Sequence, residues 1–140
     1  MEFLERLKPL SLLLLRCALG IIYISHGYPK LFTQTPNWLQ FFSRIGFPAY
    51  FAYVAGTLEF FGGCLLILGL FTRIVGLLFT IEMAIAIWKV HLTQGIYVVK
   101  NYEFPMALCV AALTLATVGA GVISLDYPIF RHKAKPRSKV

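Results

Sequence analysis

From Phe104 to Leu125 the chain runs for 22 residues without a charged side chain. A stretch of that length crosses the roughly 30 Å hydrocarbon core of a bilayer as a helix, because only intrahelical hydrogen bonds satisfy a backbone that water cannot reach. Three other apolar tracts accompany it, each broken by one charge: 10–29 by Arg16, 45–72 by Glu59, and 74–88 by Glu82. Composition agrees, with 59% of the 140 residues hydrophobic and 14% charged, against about 25% charged in soluble domains. A water-soluble globule of this size could not bury so much apolar surface. A disordered chain, a disulfide scaffold and a multidomain enzyme are excluded as well.

The expected fold is all-α: one four-transmembrane-helix bundle over residues 1–130, with helices at about 9–29, 49–71, 74–91 and 104–125, and a basic tail at 131–140. Pro9, Pro48 and Pro105 punctuate the helix starts, where a missing N–H costs least. In the first outer loop, Trp38, Leu39, Phe41, Phe42 and Ile45 share most of one helical face, while Gln40, Ser43 and Arg44 lie off it. That pattern predicts a short helix lying flat at the interface. Residues 93–101 read as a polar turn followed by Tyr97, Val98 and Val99. A removable signal peptide is rejected, since Arg16 breaks the apolar region and Tyr23 to His26 is a poor cleavage sequence.

Lys and Arg set the orientation. Arg6, Lys8, Arg73, Arg131, Lys133, Lys135, Arg137 and Lys139 fall on one side, and Lys30, Arg44, Lys89 and Lys100 on the other. Basic residues accumulate on the cytoplasmic side, so both termini are expected there, in the inner membrane. The tail supplies most of the net charge of +7 and reads as resting on anionic lipid. It lacks the interleaved aromatics of a nucleic-acid-binding segment.

A charge at mid-span costs about 2.5–3.5 kcal/mol on insertion scales, so Arg16, Glu59 and Glu82 need partners. Counted from the cytoplasmic edge they lie about 9, 16 and 13 Å deep, which predicts one guanidinium and two carboxylates in a common layer. Arg16, Gly20, Tyr23, Gly27 and Lys30 form one stripe on the first helix; Gly56, Gly62 and Gly63 flank Glu59; and Ala112, Ala116 and Ala120 mark the fourth. Small residues permit the close helix approach that a buried polar cluster requires. One Arg cannot neutralise two carboxylates in a low dielectric, so Glu59 or Glu82 is expected to carry a proton. The competing reading is an ion pair that only holds helices in register.

A second cluster is expected at the outer mouth: His26, Lys30, Lys89, His91 and Glu103. Two histidines at comparable depth suit a quinone headgroup or an iron, but nothing in the spacing aims both imidazoles at one haem. Cys17, Cys64 and Cys109 sit on different helices without a Cys-x-x-Cys pair and read as small apolar groups. No flavin, iron–sulfur, zinc or phosphate-loop motif is present.

Several of these residues, in order, resemble the DoxX family of small bacterial and archaeal membrane proteins. The matching stretches are Leu14-Leu15-Arg16, His26-Gly27 with Lys30-Leu31-Phe32, Gly46-Phe47-Pro48, Glu59 with Gly62-Gly63, Leu68 through Arg73, Glu103-Phe104-Pro105 and Ser124-Leu125-Asp126. The resemblance covers about residues 10–127. It implies a four-helix bundle in the cytoplasmic membrane. Some relatives look like the small subunit of a thiosulfate:quinone oxidoreductase, and others are linked to membrane oxidoreductase complexes in redox stress or quinone detoxification. It brings no catalytic residue set. Arg16, His26, Lys30, Glu59 and Arg73 match its pattern, with Arg73 at the cytoplasmic turn, whereas Glu82 and His91 are chosen on depth and charge.

The leading expectation is a membrane subunit of a quinone-linked oxidoreductase system, with Arg16, Glu59 and Glu82 handling a proton and the outer cluster contacting the quinone or a redox partner. Whether the chain is itself catalytic, and whether it forms a homo-oligomer, is open at this point. Two other classes fit the same residues. One is a proton-coupled transporter of a cationic small molecule, lined by Tyr23, Phe60 and Phe61. The other is a non-catalytic scaffold for a soluble oxidoreductase.

Overall fold

The computed structural model of the protein describes residues 1–92 and 99–131, and among these there is no strand. Helix α1 covers Glu2–Tyr28 and continues as a π turn, Pro29–Thr33; α2 is Thr35–Arg44, α3 Phe51–Leu68 and α4 Thr72–Ala86, which runs on as a second π turn, Ile87–His91. A 3₁₀ turn at Val99–Asn101 leads into α5, Glu103–Val118, and α6 is Asp126–Arg131. Glu2–Thr33, Phe51–Leu68 and Thr72–His91 are long and apolar enough to cross a membrane, and Glu103–Val118 is a shorter apolar helix.

Two expected boundaries are corrected. The first helix does not open at Pro9: it starts at Glu2, with Glu2 and Glu5 in its first turn and Pro9 inside. The acidic residues favour the positive end of the helix dipole, and Glu5 pairs with Lys8. The last apolar helix does not reach Leu125 but stops at Val118. Gly119, at φ 91°, turns the chain into a conformation that an L side chain resists. The turn expected at 93–101 is described only from Val99 onward, and the basic tail beyond Arg131 lies outside the described residues.

The helices form two close pairs, α1 with α3 and α4 with α5. Glycines set their spacing. A Cβ added to Gly20 would lie 2.7 Å from the Gly63 carbonyl oxygen, and one on Gly27 would lie 2.8 Å from that of Gly56. On the other pair, a Cβ on Gly76 would lie 2.8 Å from the Ala112 oxygen and from the Ala116 nitrogen. The pairs meet at Gly62, where Phe79 would come within 2.8 Å of an added Cβ, and Tyr23 stacks on Phe79 at 3.6 Å between ring centroids. Leu19, Leu66, Val75, Leu108 and Leu115 fill the core around that stack.

At the end of the molecule where α3 turns into α4, the polar groups close on backbone. Gly69, at φ 69°, ends α3. Asp126 accepts hydrogen bonds from the Phe71 and Thr72 amides at 2.7 and 2.8 Å, capping the start of α4. Arg73 donates to the Thr117 and Val118 carbonyls at 2.6 and 3.2 Å, covering the otherwise unpaired carbonyls at the end of α5.

Candidate functional site: a cavity lined by a buried ion pair

Away from that turn the two helix pairs diverge around a cavity of about 690 Å³, within the range of drug-sized ligand sites. Each wall is one helical stripe. From α3 come Phe51, Val54, Ala55, Leu58 and Glu59, and from α4 Leu78, Ile81, Glu82, Ile85 and Ala86, with Met83 beside them; apart from Met83, both series follow the i, i+3, i+4, i+7 spacing of one face. Ile22, Tyr23, His26 and Lys30 supply the α1 side, and Phe104, Pro105 and Leu108 the α5 side. Helix α2 roofs the cavity with Asn37, Trp38, Phe41 and Phe42. Four of the five residues expected to face the interface from this helix thus line the cavity, Trp38, Phe41, Phe42 and Ile45, and Leu39 does not.

The central correction concerns Glu59. Its partner is Lys30, whose Nζ lies 2.5 Å from both carboxylate oxygens, with both side chains more than nine-tenths buried. Arg16 is nowhere in this layer. It is 1% exposed, its Nη2 donates to the Ile123 carbonyl at 2.5 Å, and Nη1 lies against Gly69. The helix register explains the exchange. Gly20 faces Gly63, and Arg16 and Glu59 lie four residues from that crossing in opposite directions, so about 12 Å of helix axis separates them. Side chains also lean toward their helix N-terminus. Arg16 therefore tilts away from Glu59, while Lys30 tilts back along α1 to meet it.

Glu82 shares the cavity and lies within electrostatic reach of Glu59 and Lys30. Among the described residues its Oε2 is buried without a hydrogen-bond partner, as are Tyr23 Oη and Trp38 Nε1, all three in cavity-lining residues. An unpaired buried polar group costs about 1–3 kcal/mol, so these three atoms mark where a polar ligand would recover energy. Lys30 Nζ also lies 4.7 Å from the centroid of the Trp38 ring, which ties the ion pair to the roof helix. Both π turns border this cavity, one bearing Lys30 and the other Lys89 and His91; such turns are frequent at functional sites.

The outer cluster is gathered in part. His26, Lys89 and His91 line the cavity with Lys30. Each histidine is held through Nδ1 to a carbonyl of its own helix at 2.9 Å, His26 to Ile22 and His91 to Ala86. Lys89 Nζ lies 4.6 Å from the centroid of Trp88. Glu103 is not part of the cavity; it is exposed in the first turn of α5, where a carboxylate complements the helix dipole. Of the aromatic lining considered for a cationic substrate, Tyr23 lines the cavity, but Phe60 packs among Tyr28, Phe32 and Phe61, and Phe61 is exposed. Arg73 lies at the turn between α3 and α4, as its position in the chain implied. Trp38 was read only as an interface anchor; Gln34, at φ −127° and ψ 23°, breaks the helical register between Lys30 and Trp38, so no spacing in the sequence signalled that they meet.

The family model described as DoxX matches residues 11–92 of this chain. A Bacillus subtilis (strain 168) protein named "Putative oxidoreductase CatD" is 40% identical over 121 residues, 86% of this chain and 88% of that one. A Haemophilus influenzae protein without assigned function is 34% identical over 139 residues, covering 94% and 99% of the two chains. The Escherichia coli (strain K12) "Inner membrane protein YphA" is 32% identical over 137 residues, 85% of this chain and 90% of that one. No solved structure matches.

Proposed function

The chain belongs to the DoxX family, and from that premise we propose that it is an inner-membrane subunit of a quinone-linked oxidoreductase system, whose cavity takes the quinone head. In this reading α1, α3, α4 and α5 span the bilayer, both termini are cytoplasmic, and α2 lies at the outer interface. The observation that carries it is the chemistry of the cavity: apolar walls, with the Lys30–Glu59 pair, Glu82 and three unpartnered polar atoms gathered on them. The name of the Bacillus relative supports the oxidoreductase setting.

Tyr23 Oη and Trp38 Nε1 are donors, which fits a ligand bearing carbonyl oxygens. Two carboxyl groups facing one ammonium leave a charge over, and a single proton held between Glu59 and Glu82 balances it. That proton is the group this chain offers to the ligand. Reduction of a quinone to a quinol takes two electrons, which a separate redox partner supplies, and two protons, of which this shared one is the first and solvent supplies the second. The stacked Tyr23 and Phe79 rings bound the cavity on the side facing the α3–α4 turn, and α2 covers the other end.

Quenching of Trp38 fluorescence by a tail-less benzoquinone tests the site, read in a Trp88→Phe background that leaves Trp38 as the remaining tryptophan of the two. Saturable quenching that weakens several-fold in Tyr23→Phe is expected. Unsaturable quenching, together with no quinone in lipid extracts of the purified protein, would sink the reading. The shared proton is read separately, as an infrared carboxylic-acid band missing from Glu59→Gln or from Glu82→Gln.

A further inference from the structure

One side of the cavity opens between two apolar helices. Helices α3 and α4 leave their turn side by side and touch where Gly62 meets Phe79 and Val75. Toward α2 the facing residues line the cavity: Val54, Ala55 and Leu58 on α3, and Ile81 and Ile85 on α4, with Leu78 at the crossing itself. Several of these are at the same time open to the outside. Val54 is 53% exposed, Ile81 49%, Leu78 42% and Ile85 40%. Exposed residues that line the cavity border an opening: these four border an apolar one between α3 and α4, while His26 and Phe104 border another between α1 and α5. The lip between α3 and α4 is wholly apolar and continuous with Phe61 and Leu77, exposed residues of the same two apolar helices. Water gains nothing from such an entrance, whereas a hydrocarbon chain crosses it without desolvating a polar group.

We propose that the gap between α3 and α4 is a lateral portal to the bilayer, and that the cavity takes a membrane-dissolved ligand of two parts: a polar head that reaches Lys30, Glu59 and Glu82, and an apolar chain that lies out between Val54 and Ile81. The head rests on the reading of the cavity given above; the portal rests on the exposure of the lip. The occupant of the gap is therefore a flexible hydrocarbon chain from the membrane. A cavity of about 690 Å³ holds the head and the first part of such a chain, and the portal lets the remainder stay in lipid. Specificity then resides in the head, and chain length beyond the lip adds little.

The test compares two probes on the full-length protein in lipid nanodiscs, with Trp38 quenching as the readout: a decyl-tailed benzoquinone and the same ring without a tail. Filling the lip with Val54→Phe or Ile81→Phe is expected to raise the apparent Kd of the tailed probe at least tenfold more than that of the tail-less probe. Equal loss for both probes, or no loss for either, overturns the portal while the cavity reading stands. If neither probe quenches Trp38 in the unaltered protein, the cavity reading fails. The portal then stands or falls on a measurement that needs no variant and no quinone. Phospholipid with a photoactivatable diazirine in its acyl chain should label the cavity-wall residues Leu58 and Met83 as well as the outward Phe61 and Leu77. Label confined to Phe61 and Leu77 overturns the proposal. Protection of all four would assign the gap to a second copy of the chain, which overturns it too.

Discussion

Lys30 and Glu59 are the two side chains whose burial most needs explaining, and they explain each other. Removing one leaves the other charged and alone in the interior, which costs about 3–5 kcal/mol, whereas replacing both by apolar groups of similar volume is close to neutral. Lys30→Met is therefore expected to destabilise the protein by about 3–5 kcal/mol, and Lys30→Met with Glu59→Leu to recover most of that loss, measured by steric trapping in bicelles. A double variant no more stable than the single one would show that the pair is not an isolated unit. Trp38→Leu removes only the ring over the ammonium and should cost about 0.5–2 kcal/mol. Glu59 was identifiable beforehand because a carboxylate in an apolar tract is conspicuous. Its partner was not: Lys30 stands beside Pro29 near the expected helix end, where a lysine reads as an anchor reaching for water.

The helices themselves depend on how their ends are satisfied. Asp126 caps α4 from a distance of more than fifty residues in sequence, and Arg73 caps α5 in return. Loss of an N-terminal cap typically costs about 1 kcal/mol. Asp126→Ala is thus expected to lower stability by about 1–2 kcal/mol, with Asp126→Asn losing less because one oxygen still accepts. Gly69→Ala should be worse than either, since it combines a left-handed backbone, worth about 1–2 kcal/mol, with a methyl group placed on the Arg16 guanidinium. Chemical denaturation in detergent would rank the three. If Gly69→Ala proved the mildest, the account of the Arg16 pocket would be wrong. The early end of α5 belongs here as well. Leu125 was expected inside a helix because no charge interrupts the run, yet Gly119 ends the helix at Val118 and frees the Ile123 carbonyl for Arg16. An uncharged run marks what lipid tolerates; it does not mark where the helix stops.

For the molecule as a whole, the two-pair arrangement predicts a topology that labelling can check. A Ser43→Cys side chain on α2 should react with a membrane-impermeant maleimide in intact cells, and Glu2→Cys at the start of α1 only after permeabilisation. The reverse pattern would invert the proposed orientation. It would leave the cavity intact but place it near the opposite face of the membrane.

Long apolar runs, their rare charges and the glycine stripes already stated that the chain is all-helical, suited to a bilayer, and tightly packed around polar groups. Those properties are local: they depend on the character of about twenty consecutive residues and on the 3.6-residue repeat. Which charge meets which is a different matter. It depends on the axial offset between α1 and α3, set where Gly20 meets Gly63 and Gly27 meets Gly56, and on the direction in which each side chain leans. About four turns of α1 separate Arg16 from Lys30, so the axial offset decides which of them meets Glu59, and nothing within either helix reveals that offset. The cavity is likewise a property of packing, because it exists where α3 and α4 separate beyond Gly62.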